Sequence, residues 1–168
     1  GFTASVLPQN RKMLGVFTQV GFSAHSRFEE GVIEVEMGIE PFILASATAG
    51  CLSQRLVRTL CTACRRQTPP DSIVVERFRE AGIALPDGVY YEHVGCDFCE
   101  GQGFTGRLPI AEIMLLNESV RRAVNARKPT GELHQLAVSE GMTPLLRDGL
   151  TRAQRGETSL AEVLRVAG

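Results

Sequence analysis

Cys61-Thr62-Ala63-Cys64 and Cys96-Asp97-Phe98-Cys99-Glu100-Gly101-Gln102-Gly103 are the two stretches on which the reading of this 168-residue chain turns. Together they spell C-x2-C-x31-C-x2-C, two tight pairs with 31 residues between them. Zinc takes four soft ligands at the corners of a tetrahedron, each about 2.3 Å away. Two intervening residues let one turn aim both thiolates at the same point, and two such turns close the site. Gly101 and Gly103 let the second turn curl and point N–H groups at sulfur, which matters because four thiolates around Zn2+ leave a net negative charge. Arg65, Arg66 and Arg107 lie close by in sequence and are candidates to offset it. The pattern favours a structural zinc held by Cys61, Cys64, Cys96 and Cys99 over two disulfides or a redox-active pair. A catalytic zinc is disfavoured, because four thiolates leave no open position for water. Residues 61–107 carry few large apolar side chains, so the metal is expected to supply order that a core does not.

Working outward, residues 41–60 read as one mostly apolar helix, with Pro41 in its first turn and Phe42, Leu44, Ala45, Ala49, Leu52, Leu56 and Leu60 along it. Cys51 would be a buried, inert thiol on that helix. An amphipathic helix is predicted near residues 72–80, and residues 108–116 read as a strand. From Asn117 onward the chain reads as a small helical bundle. Asn117 is its first N-cap, with Glu118 in the first turn, and a second helix over 131–140 stops at Gly141. Thr143 and Pro144 open a third helix that ends at Gly156, and the capping box Ser159-x-x-Glu162 opens a fourth, to Val166. Residues 1–36 read as a small β-α-β-β segment. Its parts are a strand over 3–7, a helix carrying Met13, Leu14, Phe17 and Val20, and a hairpin of 23–27 with 32–36 across Glu29-Glu30-Gly31. The fold class is α+β.

The bulk composition is that of an ordinary globular chain, 43% hydrophobic and 22% charged, with a net charge of −1. So even a balance gives no case for nucleic acid or an anionic membrane as partner. The longest apolar run, residues 42–52, is broken by Ser46, Thr48 and Gly50. It falls short of the roughly 18–20 residues that span a bilayer. The first residues lack the basic start and apolar stretch of a signal peptide, so export is not expected. The chain opens at Gly1 without a methionine, as a fragment would. His25, His93 and His134 are too scattered for a catalytic set, and Arg121, Arg122, Arg127, Arg147, Arg152 and Arg155 read as a solvated face.

From about Met37 to its end the sequence resembles the C-terminal region of the secretion ATPases that power type II secretion and type IV pilus assembly. The resemblance is carried by Met37-Gly38-Ile39-Glu40-Pro41-Phe42, Gln54-Arg55-Leu56-Val57-Arg58-Thr59-Leu60-Cys61 and Val94-Gly95-Cys96-Asp97-Phe98-Cys99. Gly103-Phe104-Thr105-Gly106-Arg107, Ile110-Ala111-Glu112, Glu140-Gly141-Met142-Thr143-Pro144-Leu145 and Asp148-Gly149-Leu150 follow in order. It implies the end of a RecA-like core over 37–60, with a remnant helix, a tetracysteine zinc subdomain over 61–107 and a C-terminal helical domain over 108–168. It also implies a place in a hexameric motor, in the cytoplasm and peripheral at the inner membrane through platform proteins of the machinery. Subunit stabilisation and protein–protein contact would be the role of this region. ATP and Mg2+ belong to the full-length family context. Nothing here reads G-x4-G-K-[ST], and the acidic and histidine-containing motifs expected ahead of Met37 are missing as well. ATP hydrolysis is therefore not expected from this chain alone, unless another chain completes an active ATPase. Arg55 and Arg58 are candidates for a nucleotide edge or subunit interface in such a hexamer, with solvated helix charges as the default.

Residues 1–36 resemble the last part of a GNAT-type acyltransferase, through Val6-Leu7-Pro8-Gln9-Asn10-Arg11-Lys12-Met13-Leu14, Val20-Gly21-Phe22 and the hairpin to Glu36. The Gly-rich loop with which that family grips acetyl-CoA is not among them. A fusion is the favoured reading, and a divergent RecA-core segment is the other. Cys96-x-x-Cys99-x-Gly101-x-Gly103 also matches one repeat of the DnaJ-type chaperone zinc domain, but that domain uses four and residues 61–66 are not one.

Overall fold

The computed structural model describes residues 2–6, 23–29, 32–38 and 40–168. In chain order the elements are β1 (Phe2–Val6), β2 (Ser23–Glu29), β3 (Val32–Gly38), α1 (Pro41–Ala47), β4 (Gly50–Leu60) and β5 (Arg66–Gln67). They continue with α2 (Ser72–Glu80), β6 (Tyr91–Glu92), β7 (Phe104–Leu115), α3 (Glu118–Asn125), α4 (Thr130–Ser139), α5 (Leu145–Gln154) and α6 (Leu160–Ala167). The chain divides into two units, Gly1–Ala49 with Leu116–Leu133 and Gly50–Leu115 with His134–Gly168.

In the first unit β1, β3 and β2 form an antiparallel sheet in that order, with Phe2 opposite Met37 and Ser23 opposite Gly38. The expected first strand and hairpin are both present. The helix expected around residues 13–20 and the turn at residues 30–31 lie outside the described residues. α1 and α3 pack on each other with Ala45 and Val120 buried. α3 opens as its sequence predicts: the Asn117 side chain accepts the Val120 N–H at 3.0 Å, and Glu118 sits in the first turn.

The segment 41–60 departs from the sequence reading. It is not one helix but a two-turn helix followed by an eleven-residue strand. Thr48 ends α1 in an extended conformation (φ −95°, ψ 127°). Leu52, Leu56 and Leu60 recur every fourth residue, a spacing close to one helical turn and also twice the strand repeat. The pairing partner decides between the two. β4 lies antiparallel to β7, with Leu52 opposite Ile113 and Leu56 opposite Pro109. The helix expected as the remnant of a RecA-like core is thus replaced by α1 and β4. Cys51 stands exposed on β4 rather than buried on a helix.

The second unit is built on this β4–β7 ribbon. Its register slips between Arg58 and Leu60, where β7 carries one extra residue between Arg107 and Phe104. Gly106 there has φ 75°, a conformation glycine adopts without strain, and the bulge sets Phe104 opposite Leu60. α5 packs on β7 and on α6, which in turn packs on β4 and α2. The core joins Phe78, Ile83 and Tyr90 to Leu146, Leu150, Ala153, Leu160 and Val163. Each buried leucine, isoleucine, valine or phenylalanine side chain there contributes roughly 1.5–3 kcal/mol. Residues 61–107 therefore do own apolar anchors, contrary to the sequence reading, and Phe78, Ile83 and Tyr90 among them share a core with the C-terminal helices. Within their own units α3 packs on α1, and α5 packs on β7. α5 starts one residue later than expected, and its cap comes from the strand. Glu112 on β7 accepts the Leu145 N–H at 3.1 Å, while Asp148 on α5 accepts the Ala111 N–H at 2.9 Å. Among the described residues no helix is long and apolar enough to cross a membrane.

Candidate metal centre

β4 runs straight into Cys61, and a turn follows in which Cys64 and Arg65 both donate N–H to the Cys61 carbonyl, at 3.3 and 2.9 Å. The chain then pairs with its own return. Arg66 stands opposite Glu92, Gln67 opposite Tyr91, and the Thr68 N–H reaches the Tyr90 carbonyl at 3.1 Å. This short ladder closes the 31-residue excursion at its base and delivers the second pair. Asp97–Cys99 form a single 3-10 turn, with the Gly101 N–H on the Cys96 carbonyl at 2.9 Å. The Cys61 N–H donates to the Gly103 carbonyl at 3.0 Å and ties one cysteine turn to the other.

All four sulfurs lie within 4.8 Å of one another. Cys61–Cys96, Cys64–Cys99 and Cys96–Cys99 are separated by 3.9, 3.8 and 3.7 Å. A tetrahedron of sulfurs about 2.3 Å from a central zinc has edges of about 3.8 Å, so the donor set fits that ion. The four are free thiols, far from the roughly 2.05 Å of a disulfide. Cys61 and Cys99 are buried and the other two half-buried.

Backbone amides supply the positive ends of dipoles that such a site needs. Gly95 N–H points at Cys64 Sγ at 3.3 Å, and Cys96 and Gly103 N–H point at Cys99 Sγ at 3.2 and 3.1 Å. Gly103 is there by necessity: its φ is 74°, and a Cβ would stand 2.7 Å from His93 Cβ. Burial pushes the Cys99 thiol up, but the Cys96 and Gly103 amides and the neighbouring thiols outweigh it and bring it to about 7. Burial and the surrounding thiols push Cys64 up to about 11, against the pull of the Gly95 amide. The amides, rather than the arginines expected from sequence, are what reach the sulfurs. Arg65 lies 4.9 Å over the Tyr91 ring and donates to the Gly156 carbonyl, and Arg107 is exposed opposite Arg58.

Of the two arginines proposed for a nucleotide or interface, Arg55 is exposed on β4. Arg58 lies on the same strand rather than on a helix. It sits 4.0 Å over the Phe104 ring and pairs with Glu162 at 2.7 Å. Phe104 in turn stacks on His93, with ring centroids 4.8 Å apart. Glu162 was legible in sequence only as half of a capping box. Its backbone N–H does bond Ser159 Oγ, at 3.2 Å. Its carboxylate, 1% exposed, instead accepts from Arg58 and Arg165. Burial works to raise that carboxyl, but the Arg165 and Arg58 hydrogen bonds and the Arg58 charge bring it down to about 2. The apolar stripe Leu160, Val163, Leu164 and Ala167 points Glu162 the other way, so periodicity alone gave no sign that β4 would cover it.

Residues 23–165 match the family model described as type II/IV secretion system protein. The chain belongs to that family. It is 42% identical over 134 residues to type II secretion system protein E of Aeromonas hydrophila, covering 78% of this chain and 26% of that protein. Against the type IV pilus assembly ATPase PilB of Thermus thermophilus it is 38% identical over 129 residues, covering 77% of this chain and 14% of that one. A putative type II secretion system protein E of Escherichia coli is 36% identical over 132 residues, with 79% and 26% covered. The chain therefore spans about a quarter or less of the length of these secretion-family relatives. The family match begins at residue 23 and takes in β2 and β3, the hairpin that sequence alone set beside an acyltransferase tail.

Proposed function

We propose that this chain acts as the zinc-bearing C-terminal portion of a secretion or pilus-assembly motor, stabilising the motor subunit and carrying its contacts with neighbouring subunits and inner-membrane platform proteins. The observation that carries the reading is the set of four sulfurs at the edge lengths of a zinc tetrahedron, inside a chain of the secretion family. When bound, the ion would supply structural cross-linking and no chemistry, since the four cysteines take every position around it. ATP and Mg2+ would be handled by the part of the relatives that this chain does not span, on the cytoplasmic side of the inner membrane. One exposed face supports that assignment. Leu52, Leu56, Ile113 and Leu115 lie on the same side of the β4–β7 ribbon, each 48% exposed or more. The occupant proposed for this face is the ATPase core of the motor.

Metal analysis of the chain purified without added zinc tests the reading. About one zinc per chain is expected, lost in Cys96→Ser. Folded protein free of zinc would reject it, and magnesium-dependent ATP turnover by the chain alone would reject the assignment of ATP to the part of the relatives that this chain does not span.

A further inference from the structure

We infer that Glu162 couples the C-terminal helix to the metal turns, so that metal occupancy and the anchoring of α6 reinforce each other. The inference rests on the zinc reading above and adds a positioning residue that lies 104 residues from its partner on β4.

A carboxylate sealed from water is tolerable only when its charge is fully matched by hydrogen-bonded partners. Glu162 meets that condition with four bonds: Arg58 N–H at 3.0 Å, Arg58 Nη2 at 2.7 Å, Arg165 Nε at 2.8 Å and Arg165 Nη2 at 2.7 Å. Two of the four come from Arg58 near the end of β4, so the arrangement holds only while β4 and α6 stay together. The connection before α6 adds to it. Thr158 Oγ1 donates to the Arg58 carbonyl at 2.8 Å, the Leu60 N–H donates to the Glu157 carbonyl at 2.9 Å, and Arg65 donates to the Gly156 carbonyl. Residues 156–162 are thus bonded to positions 58, 60 and 65, on both sides of Cys61. Arg58 also covers Phe104. The neighbouring Gly103 donates its N–H to Cys99 Sγ, and its carbonyl accepts the Cys61 N–H. Whatever fixes Cys61 and Gly103 in place also fixes the strand end that holds Glu162, and linkage makes the effect reciprocal.

Hydrogen exchange of the full chain, zinc-loaded and after chelation, gives the first measurement. Stripping the metal should speed exchange in residues 156–167 by about tenfold or more while leaving α3 unchanged. Zinc affinity, read by competition with a chromophoric chelator, gives the second. Glu162→Gln should weaken zinc by about tenfold, and Thr158→Val, which removes a single hydroxyl bond, by about twofold to threefold. Val120→Ala, a core change on α3 and away from these bonds, should leave zinc affinity where it is. Should Glu162→Gln fail to fold, Thr158→Val carries the test. Zinc uptake of one per chain with residues 156–167 indifferent to chelation would overturn the coupling and spare the metal reading. So would unchanged affinity in the folded Glu162 and Thr158 variants, or an equal loss in Val120→Ala. A chain that takes up no zinc overturns both.

Discussion

The two ends of the β4–β7 ribbon share one ladder and have opposite surroundings. At the far end Leu52, Ile113 and Leu115 are 63%, 55% and 68% exposed, and among the described residues no strand pairs with the outer edge of β4. At the near end Val57, Leu60 and Phe104 are buried, and the same outer edge is taken by residues 157–162. Strand propensity cannot explain the contrast, because both ends are rich in leucine, valine and isoleucine. What differs is what lies alongside: a cysteine turn, a helix and a buried carboxylate at one end, and apolar side chains facing water at the other. That apolar face is the one for which the ATPase core is proposed above as the occupant.

The comparison can be broken most severely at the closed end. Chelation, or Cys96→Ser, should remove an interaction of the order of 10 kcal/mol in apparent zinc binding, seen as a large fall in thermal midpoint that zinc restores only in the unmutated chain. Ile110→Ala, at a fully buried position on β7, should cost about 2–5 kcal/mol by denaturant unfolding. Glu162→Gln should cost roughly 3 kcal/mol near neutral pH. The sign follows from the lowered carboxyl. Its contribution is complete above its ordinary value of 4.5 and fades as pH falls toward about 2. The stability gap between the unmutated chain and Glu162→Gln, measured without metal, should therefore close between pH 5 and pH 2 by roughly that amount; a gap that stays constant would remove the charge from the explanation. The smallest effect belongs to the open end. Leu52→Ser should change the stability of this chain by no more than about 0.5 kcal/mol, while weakening association with an added ATPase core in a binding titration.

Much of the centre was legible beforehand because the two-residue spacing of each cysteine pair and the glycines around the second leave the backbone few ways to turn. The N-cap at Asn117, the helix at residues 72–80 and the hairpin around residues 23–36 were legible for the same reason: their signals are local. The misses are all non-local. Leu52, Leu56 and Leu60 fit a helix or a strand equally, and only β7, some fifty residues on, decides between them. Glu112 capping α5, and Glu162 meeting Arg58, depend on elements brought together by the fold. Cys51 was misplaced with the helix that was expected to bury it.

The additional residue at Gly106 acts as a spacer between the ribbon and the second cysteine turn. Taking it out would draw residues 96–103 along β7 by about 3.3 Å, whereas a zinc site accepts distance errors of about 0.2 Å. The Gly103 carbonyl would then miss Cys61, and the four sulfurs would no longer converge. Chain length between Gly103 and Arg107 is therefore held to a far tighter tolerance than side-chain identity at Thr105, and a one-residue deletion there should do more harm than any exchange of that threonine.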